Sequence, residues 1–145
     1  MQAAGNAASV GRRSHRVGYV LLALGTIAIG LLVHRGGVPL SPALRDILGD
    51  LLWAAMIYWW ISAVAPGAGR PRRIIAALIA CWAVESSQVL DLPALNAMRR
   101  TTPGHLVLGS DFDARDLIAY TAGVLGAAVL DIAMRGRLLP RVRSG

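Results

Sequence analysis

Glu85 is an acidic side chain inside an apolar stretch of the sequence, residues 74–90, where a charge could do chemistry. Gln88 follows three residues later and so lies on roughly the same face of a helix. A charged group at membrane depth costs about 3 kcal/mol or more, so it normally faces a partner or a wet cavity. A carboxylate in such a place can hold a polar ligand or act as a general base. Glu85 and Gln88 are therefore the first candidate site residues.

Other polar side chains lie where three apolar segments approach one end of a helical bundle. Asp50 opens the second segment beside Arg45, and Asp116 opens the fourth with Tyr120 one turn further on. Two arginines precede the fourth segment in a long connection. The candidate ligand-binding residues are Arg45, Asp50, Glu85, Gln88, Arg99, Arg100, Asp116 and Tyr120, and the catalytic candidates are Glu85, Asp50 and Asp116.

Structural roles are an alternative for the same residues. Aspartates near helix starts, such as Asp46, Asp50 and Asp116, commonly cap free backbone N–H groups. Glu85 is too far from a helix start to be a cap, but an ion pair with one of the candidate arginines would also account for it. The sequence alone leaves both interpretations open.

The fourth apolar segment contains two further features with structural interpretations. Asp131 stands four residues before Arg135, so a pair on the helix surface is sufficient to explain it. Ala119, Gly123 and Ala127 form a stripe of small residues, which indicates close packing of helices.

No metal or cofactor is expected. His105 with Asp111, Asp113 and Asp116 could hold a divalent cation, but no spacing typical of a metal or nucleophile motif is present. No glycine-rich phosphate loop occurs either. Cys81 is the only cysteine, so an intrachain disulfide is excluded, and its apolar surroundings favour packing.

The composition predicts an all-α membrane protein. Of the 145 residues, 55% are hydrophobic and 16% are charged, and the mean hydropathy is +0.54. Segments long enough to cross a bilayer lie at residues 17–33, 47–64, 74–90 and 117–134. These predict a four-helix transmembrane domain over residues 17–134, with basic tails at 1–16 and 135–145. The connection at 91–115 is too long for a hairpin, and we expect it to cap the site.

Arginine clusters predict the orientation of these segments. All fifteen basic residues are arginines, and they concentrate before the first span, between the second and third, and after the fourth. With four spans these clusters share one side, which the positive-inside rule makes cytoplasmic, so both termini are expected there. Short runs between apolar segments are unlike a nucleic-acid-binding face. A cleaved signal peptide is disfavoured because no small-residue cleavage site follows the first span.

Several motifs in fixed order resemble the DUF2809 family of small bacterial integral membrane proteins. The resemblance covers about residues 40–126. The motifs are Arg45-Asp46-x-x-Gly49-Asp50-Leu51-Leu52-Trp53-Ala54, Glu85-x-x-Gln88, Arg99-Arg100-Thr101, Leu106-Val107-Leu108-Gly109, and Asp116-Leu117-x-Ala119-Tyr120-x-x-Gly123. The same order of glutamate, arginine and aspartate is similar to VanZ-like proteins, some of which are linked to glycopeptide resistance. The resemblance implies a fold and a site in the bacterial cell membrane.

Three functions are consistent with these observations. The first is binding of a lipid or cell-envelope precursor in an outward-facing polar cavity, with the arginines as ligands for phosphate. The second is a membrane-embedded hydrolase or transferase with Glu85 as general base. The third is a purely structural or proton-coupled role with Glu85 in a relay, and four short spans could form a conduit only by oligomerising. The lipid bilayer is the expected surrounding in each case.

Overall fold

The computed structural model describes residues 2–35, 39–88, 92–104 and 113–138, and its regular elements are all helices over those residues. The all-α prediction is therefore confirmed. The helices are α1 (Gln2–His34), α2 (Pro42–Val64), α3 (Arg70–Ser87), the short α4 (Pro93–Arg99) and α5 (Ala114–Leu138).

Local capping explains where the two central helices begin. Ser41 precedes α2 and its side chain accepts a hydrogen bond from the Leu44 amide, with Pro42 in the first turn. Helix α3 begins at Arg70, four residues before the predicted apolar stretch, because Gly69 and Pro71 set its start. The arginines of the α2–α3 connection therefore belong largely to the first turn of α3.

Helix α2 is the centre of the bundle. It packs against α1, α3 and α5, and α3 also packs against α5. Small side chains dominate the buried core and allow this close approach. Fully or nearly fully buried core residues include Ala23, Ala54, Tyr58, Ala77, Cys81, Val124, Ala127 and Ala128. The packing role predicted for the single cysteine agrees with its complete burial.

The outer surface of the bundle is apolar. Large hydrophobic side chains such as Leu21, Ile79, Ile118 and Val129 are more than half exposed, as a lipid-facing surface requires and a soluble monomer avoids. Three helices are long and apolar enough to cross a membrane, at His15–His34, Pro42–Val64 and Ala114–Arg135.

Helix α3 differs from these three spans in composition. It has 18 residues and reaches about 27 Å, but it carries three arginines in its first turn and Glu85 near its end. Its position against α2 and α5 nevertheless places it within the same bundle. The charged residues at both ends of this short helix thus distinguish its composition from that of the three apolar helices, although α3 packs in the same bundle.

A polar network around Asp131 joins the helices at one end of the bundle. Asp131 is 3% exposed and contacts side chains from all four long helices. Tyr19 and Tyr58 donate to its two oxygens at 2.7 and 3.1 Å. Arg73 Nη2 lies 3.0 Å from Oδ2 and Arg135 Nε lies 3.1 Å from Oδ1. We call Tyr19, Tyr58, Arg70, Arg73, Asp131 and Arg135 the Asp131 network.

The sequence-based interpretation of Asp131 was too limited. The pair with Arg135 is present, but Asp131 also binds Arg73 of α3 and two tyrosines, and Arg70 Nε lies 3.8 Å away. Arg73 is itself 3% exposed and donates to the Tyr19 hydroxyl at 2.8 Å. The network is thus a buried tertiary contact rather than a pair on a helix surface.

The same contacts establish how the helices are arranged end to end. Arg16 Nε donates to the Ala63 carbonyl at 3.0 Å, and Tyr19 contacts Arg73 and Arg135. The start of the apolar part of α1, the end of α2, the start of α3 and the end part of α5 therefore meet at one end. We call this the arginine end. Glu85 lies twelve residues beyond Arg73, or about 18 Å towards the opposite end.

Gly123 is required for the contact between α2 and α5. A Cβ atom built on Gly123 would lie 2.4 Å from the Leu51 carbonyl oxygen and 3.0 Å from the Ala54 side chain. The backbone of α2 cannot move aside without separating the helices. Close packing, which the small-residue stripe predicted, is therefore present at Gly123.

Replacing Gly123 by alanine should destabilise the bundle. We expect Gly123→Ala to cost about 1–3 kcal/mol of the free energy of unfolding, because the new methyl group overlaps the α2 backbone. Gly126→Ala is the matched control, since a Cβ there meets nothing within 4 Å. This control should be neutral or more stable by up to about 1 kcal/mol. Unfolding in the same detergent measures both; equal stability of the two variants would contradict the overlap.

Candidate functional site

Glu85 is completely buried near the end of α3. It is 0% exposed, and α3 ends two residues later at Ser87. The helix end places the side chain beside the start of α5, because α3 and α5 pack together in opposite directions. The lone acid of the apolar stretch is thus fully enclosed by protein.

Both oxygens of Glu85 accept hydrogen bonds. Oε1 accepts from the backbone amide of Asp113 at 2.9 Å, and Oε2 accepts from the Tyr120 hydroxyl and from Gln88 Nε2, each at 3.1 Å. Asp113 directly precedes α5, so its amide lies at the positive end of that helix. We call Glu85, Gln88, Tyr120 and the Asp113 amide the Glu85 site.

No arginine neutralises Glu85 among the residues that the structure describes. All three ion pairs found there involve Asp131, and Arg100 is exposed at the end of α4. The side chain of Arg99 lies outside the described part of the chain. Arg45 Nε is buried and has no hydrogen-bond partner in the described part either. The ion-pair interpretation of Glu85 therefore gains no support from Arg45 or Arg100.

Asp50 and Asp116 lie beside the Glu85 site, on α2 and α5. Their carboxyl groups lie close to each other, and both lie within electrostatic range of Glu85. Three carboxyl groups from three helices thus meet at one end of the bundle.

Capping is carried out by other residues. Ser41 caps α2, and Asp113 Oδ1 accepts from the Arg115 amide at 2.9 Å at the start of α5. Asp50 and Asp116 are therefore not the residues that cap these helices. A capping role does not describe Asp50, which lies inside α2, whereas Asp116 lies in the first turn of α5, where the helix dipole favours an acidic residue.

Trp53 belongs to the site, although no sequence pattern distinguishes it from packing or interfacial aromatic residues. Its ring lies 5.2 Å from that of Tyr120, and its Nε1 is buried without a hydrogen-bond partner among the described residues. Gln88 Oε1 is in the same condition. A donor and an acceptor that lack partners beside three carboxyl groups are what a polar ligand would satisfy.

A metal is less well suited to this arrangement. No group of three or more metal-ligating side chains with suitable geometry occurs in the described ranges. Of the hypothetical metal set, His105 and Asp111 lie outside those ranges, whereas Asp113 and Asp116 lie within them. The predicted absence of a metal stays a prediction.

The ordered motifs of the sequence now have a spatial meaning, since those of α2, α3 and α5 meet in the Glu85 site and at Gly123. A family model described as a protein of unknown function (DUF2809) matches residues 40–124, more than half of the chain. The chain belongs to the DUF2809 family.

The DUF2809 match covers the site but not the whole bundle. It includes Asp50, Glu85, Asp116 and Gly123 and excludes α1 and the last part of α5. The DUF2809 segment therefore contains the three carboxyl groups and the close helix contact at Gly123, whereas the Asp131 network is completed by residues on either side of it. No solved structure matches the chain.

The structure of this DUF2809 protein brings together most of the predicted site residues. Glu85, Gln88 and Tyr120 are in direct contact, and Asp50 and Asp116 adjoin them. The Asp113 amide escaped prediction because a backbone donor has no residue-type signature. Residues 105–112 of the connection that was expected to cap the site lie outside the described ranges, so the capping role stays a prediction. Its described part contains α4, which makes no close backbone contact with the long helices among the described residues.

Proposed function

We propose that this protein crosses the membrane four times, because α3 also spans the membrane together with α1, α2 and α5. We propose further that it binds the cationic head of a membrane amphiphile at the Glu85 site. The ligand is a lipid or envelope precursor that carries an amine. The single observation that carries the proposal is the meeting of Glu85, Asp50 and Asp116 around the Trp53–Tyr120 ring pair. Carboxylates with aromatic faces favour ammonium groups.

The local charges argue against a phosphate at this site. Three carboxyl groups, those of Glu85, Asp50 and Asp116, lie near Tyr120. On α2, Arg45 lies five residues before Asp50, and its Nε is buried without a hydrogen-bond partner among the described residues. A phosphate would need arginines to outnumber the carboxylates. We therefore propose that the site recognises an amine headgroup, in place of the phosphate headgroup that the arginines of the sequence suggested.

The proposed orientation follows from charge. The arginine end lies at the cytoplasmic face and the Glu85 site in the outer half of the membrane, because positive residues favour the cytoplasmic side. Both termini are then cytoplasmic, in the cell membrane of a bacterium. In this orientation the partly exposed Asp50 and Asp116, rather than the enclosed Glu85, would meet amphiphiles of the outer leaflet and the envelope first.

A second function is favoured by the Asp50–Asp116 pair. Two neighbouring carboxyl groups can act as acid and base on a bound substrate, as in a hydrolase or transferase. Glu85 would then position or activate the substrate. Turnover of a retained lipid, lost in variants of either aspartate, distinguishes this enzyme from a binding protein.

Native mass spectrometry of protein purified in mild detergent tests the binding proposal. We expect retained amphiphiles to be rich in amine headgroups, such as phosphatidylethanolamine, and to fall about tenfold in Glu85→Gln, since a charge-assisted contact contributes roughly 1.5–3 kcal/mol. Ser86→Ala is the control, because Ser86 is an exposed neighbour of Glu85 and carries no charge. Equal retention by the wild type and folded Glu85→Gln would disprove the proposal.

A further inference from the structure

The Asp131 network contains more positive than negative charge. Arg70, Arg73 and Arg135 all lie within 4.0 Å of one carboxylate, that of Asp131. The cluster thus carries three guanidinium groups against one carboxylate. Guanidinium groups stay protonated in proteins, so this excess cannot be removed by titration.

Hydrogen-bond donors also exceed acceptors in the network. Tyr19 Oη accepts from Arg73 Nη1 at 2.8 Å and from both Nε and Nη2 of Arg135, while it donates to Asp131. Arg70 Nε and Arg73 Nε are buried and make no hydrogen bond within the described ranges. The network is therefore short of acceptor oxygens, although Arg73 is almost completely buried.

The network is open at its edge. The side chains of Arg70 and Arg135 are 36% and 32% exposed, while those of Arg73 and Asp131 are 3% exposed. Over the described residues the α1 backbone packs closely on α2 but not on α3 or α5, so side chains alone bridge this gap. A group that enters between α1 and α3 would meet the two half-exposed arginines first.

We propose that the arginine end binds a phosphate-bearing anion between α1, α3 and α5, with Arg70 and Arg135 as the direct contacts. A phosphate group supplies several acceptor oxygens and negative charge, and the planar guanidinium can bind two of those oxygens at once. Basic clusters between helices at the cytoplasmic face suit anionic lipid headgroups. Free phosphate has the same chemistry, so the experiment separates the two sources.

This site is independent of the Glu85 site. It lies at the opposite end of α3 and is built from oppositely charged residues. Glu85→Gln should therefore leave anion binding unchanged, and loss of one site does not affect the test of the other.

The test uses the full chain in nanodiscs of phosphatidylcholine, with phosphatidylglycerol or inorganic phosphate added separately. We expect phosphatidylglycerol to raise the melting temperature and to be retained in native mass spectra, with about tenfold weaker binding by Arg70→Gln. Arg72→Gln is the matched control, because Arg72 is an exposed arginine in the same helical turn. Raised salt screens the long-range attraction between exposed Arg72 and the anion but leaves the half-buried contact of Arg70 largely intact. At raised salt Arg72→Gln should therefore bind phosphatidylglycerol within about twofold of the wild type.

The outcomes separate the sources. Stabilisation by phosphatidylglycerol alone identifies a lipid headgroup, and stabilisation by phosphate in phosphatidylcholine discs identifies a free anion. No stabilisation of the wild type by either compound would overturn the proposal, even if Arg70→Gln failed to fold. Equal binding by Arg70→Gln and Arg72→Gln at raised salt would overturn it as well.

Discussion

Asp131→Asn is expected to lose about 3–5 kcal/mol of the free energy of unfolding, because removal of one partner from a buried ion pair leaves the other charge uncompensated. Arg73 is 3% exposed and has Asp131 as its ion-pair partner. Asparagine keeps the side-chain volume but cannot balance the guanidinium groups of Arg70, Arg73 and Arg135. Chemical or thermal unfolding in phosphatidylcholine measures the loss.

The control for this prediction is Asp46→Asn, which removes a carboxylate that is exposed. This variant should stay within about 0.5 kcal/mol of the wild type, as surface substitutions do. A zwitterionic lipid is needed because an added anion could replace the missing carboxylate. If Asp131→Asn had the same free energy of unfolding as Asp46→Asn and the wild type, the network would not stabilise the bundle.

Glu85→Ala and Glu85→Gln should differ clearly from each other. Alanine leaves the Asp113 amide, the Tyr120 hydroxyl and the Gln88 amide without their acceptor, and it opens a cavity at a site with no exposure. We expect a loss of at least about 2 kcal/mol, since each buried unsatisfied group costs about 1–3 kcal/mol. Thermal unfolding and the amount of protein in the membrane measure this loss.

Glutamine should be tolerated at position 85. It retains the volume and one acceptor oxygen, and rotation of the Gln88 amide can supply an acceptor for its new N–H group. The expected loss is about 1 kcal/mol. Ser86→Ala, at the exposed neighbouring position, controls for a change near the helix end. Poor folding of both Glu85 variants would indicate a structural carboxylate and would remove the basis for a ligand site.

This contrast between the two variants makes function measurable. A folded Glu85→Gln keeps the shape of the site but lacks the charge, so lost ligand retention then reports chemistry rather than unfolding. The same reasoning applies to Arg70→Gln at the other end, because Arg70 lies 3.8 Å from Asp131 and is more exposed than Arg73. Each proposal therefore has a variant that separates binding from stability.

The site was more predictable than the network because of where its residues lie in the helices. The site residues lie near those ends of the apolar segments that fall on one side of the bundle when neighbouring helices run in opposite directions. Antiparallel packing therefore brings together Glu85, Asp50, Asp116 and Tyr120. In contrast, Tyr19 contacts Asp131 across 112 positions of the chain. No local pattern distinguishes a tyrosine that reaches a distant carboxylate from one that packs against lipid.

The sequence by itself determined the helical class, the apolar segments and the family, because hydrophobic runs and ordered motifs are properties of the chain. The tertiary structure alone decided that Glu85 pairs with a backbone amide and a tyrosine rather than with Arg45 or Arg100. It also decided that Arg73 is buried against Asp131. The physical reason is that burial and hydrogen-bond partners depend on how the helices rotate and approach one another. This arrangement is set by Gly123 and the core packing, and residue types alone do not reveal it.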